Sequence, residues 1–444
     1  MKKLFLLLVL VGVLGISCSD KEETTPNQPQ TPTEQPEDNS GSENDDNQVT
    51  NKPNIPNNEI WYTTSDNTKL FPNSIAPTLF GAILISNIYK DGQGVLTFDD
   101  DITVIGRSVF DSCTSLTSIT IPNSVTTIGS SAFSGCSNLT SITIPDGVTT
   151  IGDCAFRLCN SLTSVTIGDS VTTIENYAFD GCSSLTSVTI PDSVTTIGGA
   201  FYGCSSLPII NGIRYADTYL VEVVDKLLDA CNIKEGTRFI GSFAFSGCSN
   251  LTSITIPDSV TTIGDYAFSG CSNLTSVTIP DSVTSIGSNA FSGCTGELVV
   301  NCNIPSASSY SYGAFYGSEF TSITIGDSVT TIGDYAFYKY DSLTSITIPD
   351  SVTTIGEYAF DGCSSLTSVT IPDNVTSIGY DAFRNCSRLT SVYCKAVTPP
   401  AGGSEMFSYN ASGRKIYVPM ESVEAYKSAY RWSDYADAIE GYNF

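Results

Sequence analysis

Apolar residues along this chain follow neither a helical stripe nor a long alternation, but a short block that repeats. In AFSGCSNLTSVTIPDSVTSIG, residues 267 to 287, nearly every position between the apolar ones is Ser, Thr, Asp, Asn or Gly. With the phenylalanine of the AF pair as a marker, the block recurs every 22 to 24 residues, and one interval of 44 residues holds a divergent unit. A period of this length predicts a solenoid or a related repeat architecture. The marker residues are Phe110, Phe133, Phe156, Phe179, Phe201, Phe245, Phe268, Phe291, Phe315, Phe337, Phe360 and Phe383.

One unit predicts two short extended segments and a turn. The end of LTSVTIP alternates, so Val277 and Ile279 are expected to point inward from a half-buried strand. Pro280 ends that strand because it has no N–H for the ladder, and Asp281 and Ser282 suit a turn. A second extended segment, VTSIG, leads to AFSGC, which we interpret as one helical turn that closes the coil.

A single unit cannot be stable by itself. Its six or seven large apolar side chains contribute at most about 1.5 to 3 kcal/mol each, whereas ordering its 23 residues costs on the order of 1.5 kcal/mol per residue. Each unit must therefore bury its faces against the next. The expected fold is a mainly β repeat solenoid of about thirteen rungs, with a parallel sheet, short helical turns and end caps.

The consensus LxxVxIPxxVxxIGxxAFxxC resembles the BspA-like, or Treponema-type, leucine-rich repeat of anaerobic bacteria. It reads LTSITIPDGVTTIGDCAFRLC from Leu139 and LTSITIPDSVTTIGEYAFDGC from Leu343. The resemblance implies a leucine-rich repeat superhelix on a cell-surface protein that binds other macromolecules. Adhesion to a host extracellular matrix protein such as fibronectin or fibrinogen, or to a mucin, is the role that it implies. Ser318 and Tyr340 replace the marker cysteine, and the units at 208–240 and 295–314 lose the consensus.

The N-terminal residues predict export and a lipid anchor. MKKLFLLLVLVGVLGISC has two lysines, a short apolar run and a final cysteine, which is the layout of a signal peptide over residues 1–17. Residues 15–18, GISC, resemble a lipobox, which implies lipidation of Cys18 and an outer-membrane lipoprotein that faces the cell exterior. A plain secretory signal is the alternative. The acidic Ser/Thr/Pro/Asn-rich residues 18–58 are expected to be a disordered tether.

Both ends of the repeat region resemble the caps of the same family. Residues 59–106 and 395–444 flank the repeats, which occupy residues 107–394. A cap is needed because a terminal rung would otherwise expose an apolar face. In the second cap, Val423, Tyr426 and Tyr430 fall at helical spacing, so we expect an amphipathic helix over the last rung.

Charge and composition exclude several classes of function. The formal net charge is −26, which repels nucleic acid, and binding to membranes is expected through the lipid anchor only. The chain contains no histidine, which removes histidine-based acid/base catalysis and the common histidine zinc sites. We therefore expect a monomeric protein without enzymatic activity, cofactor or catalytic residues.

Cysteine recurs three residues after the marker phenylalanine. Stacked rungs would bring neighbouring Cα atoms into disulfide range. Their side chains would nevertheless point the same way, so we interpret the column as small buried thiols that fill the stack, with disulfides as the alternative. No CxxC pair supports a metal site. The residues are Cys113, Cys136, Cys159, Cys182, Cys204, Cys248, Cys271, Cys294, Cys363 and Cys386.

An Asp-Ser-Val sequence recurs after the strand proline. The aspartates are explained by turn chemistry, and the glycine-rich repeat of calcium-binding β-rolls is absent, so no metal site is expected. The tripeptide resembles an O-glycosylation site of envelope proteins in such anaerobes. Ser141, Thr143 and their equivalents in the other rungs are expected to cover the solvent face with small hydroxyl groups. This regular array leaves ice binding as a remote alternative function. The candidate glycosylation sites are Ser170, Ser193, Ser259, Ser282, Ser328 and Ser351.

Five tyrosines lie around the irregular unit, where a Ser/Thr surface otherwise offers few residues that bind strongly. We interpret Tyr310, Tyr312, Tyr316, Tyr338 and Tyr340 as a candidate contact patch; the alternative is that these rings fill space left by the broken consensus. Two functions follow from the sequence. The first is an adhesive surface protein, and the second is a structural envelope spacer without a specific ligand.

Overall fold

A computed structural model of the protein describes residues 55–307 and 313–444. Within these ranges the chain forms a mainly β parallel solenoid of about 15 turns, with a spacing of about 23 residues and few helices. The predicted solenoid is therefore confirmed, with somewhat more turns than expected. None of its described helices has the length and hydrophobicity to cross a bilayer.

One strand of each rung forms a ladder that we call the SVT ladder. The ladder is divided into three sheets, and within each sheet successive strands pair in parallel and in register, so that Ser141 pairs with Ser164 and Val165 with Val188. Within a strand the valine is buried between two exposed hydroxyl residues, as the alternation predicted. The strands are Ser141–Thr143, Ser164–Thr166, Ser187–Thr189, Ala230–Asn232, Ser253–Thr255, Ser276–Ile279, Glu297–Val300, Ser322–Ile325, Ser368–Ile371, Ser391–Cys394, Lys415–Pro419 and Ile439–Tyr442.

The second extended segment forms a parallel ladder of two-residue strands, the TI ladder. Between the two ladders, the carbonyl of Pro280 accepts a hydrogen bond from the N–H of Val283, which confirms the predicted turn at Asp281 and Ser282. The strands are Val104–Ile105, Thr127–Ile128, Thr150–Ile151, Thr173–Ile174, Thr196–Ile197, Phe239–Ile240, Thr262–Ile263, Ser285–Ile286, Thr331–Ile332, Thr354–Ile355, Ser377–Ile378 and Ala401–Gly402.

The marker phenylalanines form a buried stack along the solenoid. Phe133 and Phe156 lie with ring centroids 5.2 Å apart and an angle of 6° between the rings, and Phe156 and Phe179 repeat this geometry at 5.3 Å. All three rings are inaccessible to solvent. Because each ring packs on its neighbour, the apolar interior is continuous from rung to rung, as the stacking argument requires.

The AF segments are not helical, which corrects the prediction of a closing helical turn. The N–H of Phe133 donates to the carbonyl of Ala155 in the next rung, at 2.7 Å, whereas the N–H groups of Ala132 and Ser134 bond within their own turn. An α-helix would need all of these donors for itself. Every second backbone N–H of the segment therefore bonds to the next rung, in addition to the hydrogen bonds of the two ladders. The N–H groups between them close tight turns within the segment.

Two positions of most AF turns adopt the left-handed backbone conformation, two residues before and two residues after the marker. The second is usually glycine, as at Gly135 and Gly181, with φ of 70° and 71°. The first is a residue with a side chain, as at Ser131 and Tyr177, with φ of 56° and 58°. This conformation disfavours side chains by about 1 to 2 kcal/mol. The repeat therefore tolerates strain at a fixed surface position.

The first irregular unit, residues 208–240, contains an antiparallel hairpin. Ile209–Ile210 pairs with Ile213–Ala216, which pairs with Tyr219–Val223, and this last strand continues in parallel with Phe239–Ile240. Nearly every side chain of the two longer strands is buried. The hairpin strands are thus covered on both faces, unlike the half-exposed strands of the regular rungs.

The hairpin divides the hydrophobic interior into two clusters. Tyr219 and Val221 pack with the rungs on its N-terminal side, whereas Leu220 and Val223 pack with those on its C-terminal side. Arg238 spans the division, since its guanidinium donates to the carbonyl oxygens of residues 191, 192 and 194 at 2.6 to 3.3 Å. This single side chain therefore links the rungs before and after the hairpin.

The second irregular unit interrupts only one ladder. Glu297–Val300 pairs with the strands on both sides of it, so the SVT ladder continues. The TI ladder stops at Ser285–Ile286 and resumes at Thr331–Ile332, where Ile304 supplies an isolated bridge to Ile332. The two losses of consensus therefore have different structural consequences.

Both ends carry additional elements. At the N-terminal end, Glu59–Thr64, Leu84–Lys90, Gln93–Phe98 and Leu116–Ile119 form an antiparallel sheet beside a 3-10 helix at Pro77–Leu79. At the C-terminal end, 3-10 helices at Met420–Ser422 and Ser433–Ala438 flank an α-helix at Val423–Ser428. Tyr426 is buried by this helix, but Tyr430 lies beyond its end and is 76% exposed. The predicted helix exists, whereas the expectation that Tyr430 faces the last rung is wrong.

Candidate binding surface

The strained position two residues before the marker forms a column on the surface, which we call the outer column. Along the first rungs it holds Ser108, Ser131, Cys154 and Tyr177, each with φ between 53° and 58°. Later rungs place aromatic residues there. Phe243 and Tyr266, for example, are stacked at 5.1 Å and remain about half exposed. Stacking at a 23-residue spacing thus occurs outside the solenoid as well as inside it.

After the second irregular unit the outer column gives rise to a tyrosine stripe, made of Tyr335, Tyr338, Tyr358 and Tyr380. The rings of Tyr335 and Tyr358 stack with centroids 4.7 Å apart. Tyr338 contacts Tyr335 edge to face at 5.5 Å, and Tyr380 contacts Tyr358 in the same manner at 5.2 Å. All four side chains are half-buried, so the stripe is held in place and still reaches solvent.

The hydroxyl groups of Tyr335 and Tyr358 stay protonated at neutral pH, because the pKa of each is raised. Burial, followed by the Glu357 carboxylate, raises the pKa of Tyr335 above its ordinary value. Burial and a hydrogen bond with Tyr380 raise the pKa of Tyr358. The Nζ of Lys339 lies 5.1 Å from the ring centroid of Tyr338. The stripe therefore offers aromatic area, phenolic donors and a nearby cation, which are the properties of residues that dominate protein interfaces.

The tyrosines predicted as a patch do not all reach the surface, because Tyr340, one of the three that the structure describes, is buried. Tyr310 and Tyr312 lie outside the described residues. Tyr316 and Tyr338 are half-buried, and Tyr338 belongs to the stripe. Tyr340 is buried and its hydroxyl donates to the carbonyl of Phe320 at 3.3 Å, so its assignment to a contact patch is wrong. Its ring stands where other rungs have the marker cysteine and fills the interior.

Sequence reasoning missed Tyr335, Tyr358 and Tyr380. The information was present for Tyr335 and Tyr358, since DYAF and EYAF place tyrosine at the same offset from the marker in successive rungs, whereas Tyr380 lies one position earlier relative to its marker. Residues one period apart stack in a solenoid, as the marker phenylalanines do. Proximity along the sequence pointed instead to Tyr340, whose side chain faces inward.

The cysteine column consists of free thiols. The sulfhydryl of Cys136 donates to the carbonyl of Phe110 at 3.1 Å, and the same bond from cysteine to the preceding marker recurs at Cys159, Cys182 and Cys204. Each thiol thus adds a second hydrogen bond to a marker carbonyl that already accepts the backbone N–H of the cysteine in its own rung, as Phe110 does from Cys113. Among residues 55–307 and 313–444, no three Cys, Asp or Glu side chains are grouped to hold a metal ion.

Most candidate glycosylation sites already use their hydroxyl groups. Ser193, Ser259, Ser282 and Ser351 each donate to a backbone carbonyl of the preceding rung at 2.7 to 2.8 Å. Ser328 donates to the carbonyl of Asn301. Ser170 and Ser328 are exposed, and the other four are partly buried. At Ser193, Ser259, Ser282, Ser328 and Ser351, a glycan on the hydroxyl oxygen would replace its proton and remove this hydrogen bond.

The lipidation candidate Cys18, the signal peptide and nearly all of the tether lie outside the described residues, so these assignments stay predictions. The boundaries of the two caps and of the repeat region also stay predictions.

A family model, described as the BspA type leucine rich repeat region, matches residues 95–214, 225–312 and 308–435, with 6 copies. Among solved structures, the chain is similar to a leucine-rich repeat protein from Bacteroides ovatus, with 25% identity, 72% of this chain and 88% of that chain covered, and a TM-score of 0.30. A leucine rich cell surface protein from Faecalibacterium prausnitzii shares 31% identity over 68% of this chain and 83% of its own, with a TM-score of 0.28.

The T. pallidum leucine rich repeat protein shares 28% identity over 44% of this chain and 72% of its own, with a TM-score of 0.26. No curated protein matches the chain significantly. The family match covers well over half of the chain.

Proposed function

The chain belongs to the BspA-type leucine-rich repeat family, and from this premise we propose that it is a non-enzymatic cell-surface protein that captures another macromolecule through the tyrosine stripe. Proteins of this repeat class generally bind other macromolecules. The observation that carries the proposal is the stacked, solvent-accessible arrangement of Tyr335 and Tyr358 with their two tyrosine neighbours. Aromatic residues held in this way bind with little loss of side-chain entropy.

The proposed partner is a host extracellular matrix protein or a mucin. The net charge of −26 argues against nucleic acid, and the surface of the regular rungs consists mainly of small hydroxyl residues. Binding energy at interfaces is concentrated in Tyr, Trp and Arg, so the stripe has the residue type that such a partner would contact.

The proposed location is the outer membrane, with the repeats facing outward. A signal peptide at residues 1–17, lipidation of Cys18 and a tether through residue 58 would place the repeats at a distance from the membrane. Lipid mass on a peptide that begins at Cys18, in protein from the native host, is the result expected of this proposal. An unmodified Cys18 would reject it.

The test of capture uses the full-length chain and immobilised fibronectin, fibrinogen and mucin in surface plasmon resonance. The double substitution Tyr335→Ser and Tyr358→Ser is expected to weaken capture by at least about tenfold. Tyr177→Ser is the matched control, because Tyr177 occupies the same column and is 49% exposed but has no aromatic neighbour on the stripe. Circular dichroism of both variants checks that the solenoid remains folded.

A spacer without a specific ligand predicts a different pattern. Capture would then be absent or insensitive to the double substitution, while deletion of one 23-residue rung would change the reach of the protein. Retention of full affinity in the folded double variant would reject the stripe as the binding site.

A further inference from the structure

A shallow groove lies at the C-terminal end of the stripe, between the turns of the last rungs and the segment that follows the α-helix. Its volume is about 530 Å³, within the range of small-molecule sites. Gly356, Gly379 and Gly403 line it, so part of its floor is bare backbone. A Cβ atom at Gly379 would lie 2.4 Å from the backbone nitrogen of Glu357, which explains why this line is glycine. Close packing of the rungs therefore leaves no room for a side chain at this position.

Tyr430 and Arg431 form one side of the groove. The Tyr430 ring is 76% exposed, and the Arg431 guanidinium carbon lies 4.6 Å from its centroid. No carboxylate pairs with Arg431 among the residues that the structure describes. An exposed ring beside a guanidinium without an acidic partner is available to a ligand.

Arg431 also occupies a strained backbone position. Its φ of 68° lies in the left-handed region, which a glycine would adopt without strain. The residue is outside the repeat, so the period does not dictate its side chain. Strain that persists at a surface cleft is typical of functional positions.

The remaining lining supplies polar groups and a second ring. Tyr380 belongs to the lining as well as to the stripe, and the Glu357 and Asp334 side chains provide carboxylate acceptors. Hydroxyl groups of Ser377 and Ser404 add groups that both donate and accept. Apolar side chains are few, so the groove does not resemble a pocket for a hydrophobic anchor.

We infer that this groove binds a neutral oligosaccharide. A pyranose presents apolar C–H faces, which pack on aromatic rings, and hydroxyl groups, which donate to carboxylates and accept from a guanidinium. The charged lining residues are Asp334, Glu357 and Arg431, which sum to −1, and the chain carries −26. Both values disfavour an acidic sugar. The inference does not rest on protein capture by the stripe, because the two sites use different residues apart from Tyr380.

The test is isothermal titration calorimetry of the full-length chain with hexasaccharides of glucose, mannose, galactose and N-acetylglucosamine, and with oligogalacturonate as an acidic comparison. At least one neutral hexasaccharide is expected to bind. Tyr430→Ser and Arg431→Gly should each weaken that binding by at least about tenfold. Tyr202→Ser is the control, because Tyr202 is 62% exposed on a regular rung.

Stability measurements separate binding from folding. Arg431→Gly removes the strained side chain and is expected to leave the thermal midpoint unchanged or higher. The inference is overturned if no neutral hexasaccharide binds at millimolar concentration, if only oligogalacturonate binds, or if both variants bind as the parent chain does. Loss of sugar binding in these variants with intact capture of a matrix protein would support the groove and leave the stripe as a separate site.

Discussion

The rungs before the hairpin and the rungs after the second irregular unit have the same interior packing, in two separate clusters, and differ on one surface. Phe133 and Phe156 stack at 5.2 Å in the first region, and Phe337 and Phe360 stack at 5.3 Å in the second. The outer column is mostly Ser and Cys in the first region, whereas in the second it carries Tyr335 and Tyr358. The interior thus fixes the fold in both regions, and the outer column is free to differ between them.

The largest expected effect tests the shared interior. Phe156→Ala and Phe360→Ala each remove a fully buried ring from the stack, and each should lower the free energy of unfolding by about 3 to 5 kcal/mol. Guanidinium unfolding followed by circular dichroism measures both. Because the two rings have the same surroundings, the losses should agree closely. A large loss in one region and a small loss in the other would break the comparison.

A smaller effect is expected at the hairpin that separates the regions. Arg238→Met keeps the apolar stem but leaves the partly buried carbonyl of Val194 without this donor, which should cost about 1 kcal/mol. Arg157→Met is the control, since Arg157 is half-exposed and pairs only with Asp180, at 2.9 Å. Calorimetry of Arg238→Met should also resolve separate transitions for the two clusters. An unchanged single transition would show that Arg238 does not link them.

Strain in the AF turns provides a stabilising substitution. Leu158 has a φ of 57° and is partly exposed, where Gly135 and Gly181 occupy the same position in the neighbouring rungs. Leu158→Gly should therefore raise the free energy of unfolding by about 0.5 to 1 kcal/mol. Urea unfolding at equilibrium tests this value. Destabilisation would mean that contacts of the leucine side chain outweigh the backbone strain.

Alkylation should modify only partly exposed cysteines such as Cys113 and Cys154 in the folded protein, and this modification should not measurably change its stability. Burial raises the pKa of Cys113 to about 11, so little thiolate exists at pH 8, and burial also raises the pKa of Cys154. Iodoacetamide should label these partly exposed residues slowly, and faster as the pH rises. Cys136 and Cys159 should react only after denaturation. Mass spectrometry that finds disulfides between neighbouring rungs would contradict the free-thiol arrangement.

The fold was predictable because the 23-residue period appears many times. The structures of the units that depart from this period were not predictable. The hairpin at 208–240 occurs once, and its strands are recognised only when both faces are seen to be buried. The AF segment was wrongly predicted to be helical because the N–H of Phe133 bonds to the next rung. That bond is a tertiary contact, which the sequence of the segment itself does not show. Tyr340 lies close to Tyr338 in sequence, yet one ring is buried and the other reaches solvent. The stripe required knowledge of which offset from the marker points outward.

The most direct test of the central claim is hydroxyl-radical footprinting of the full-length chain with the matrix protein or mucin that it captures. Mass spectrometry would compare oxidation of Tyr335, Tyr338, Tyr358 and Tyr380 with and without that partner. The account predicts strong protection of these four side chains and unchanged oxidation of Tyr177 on the regular rungs. Equal oxidation of the stripe in both states, or protection confined to the rungs before the hairpin, would contradict it.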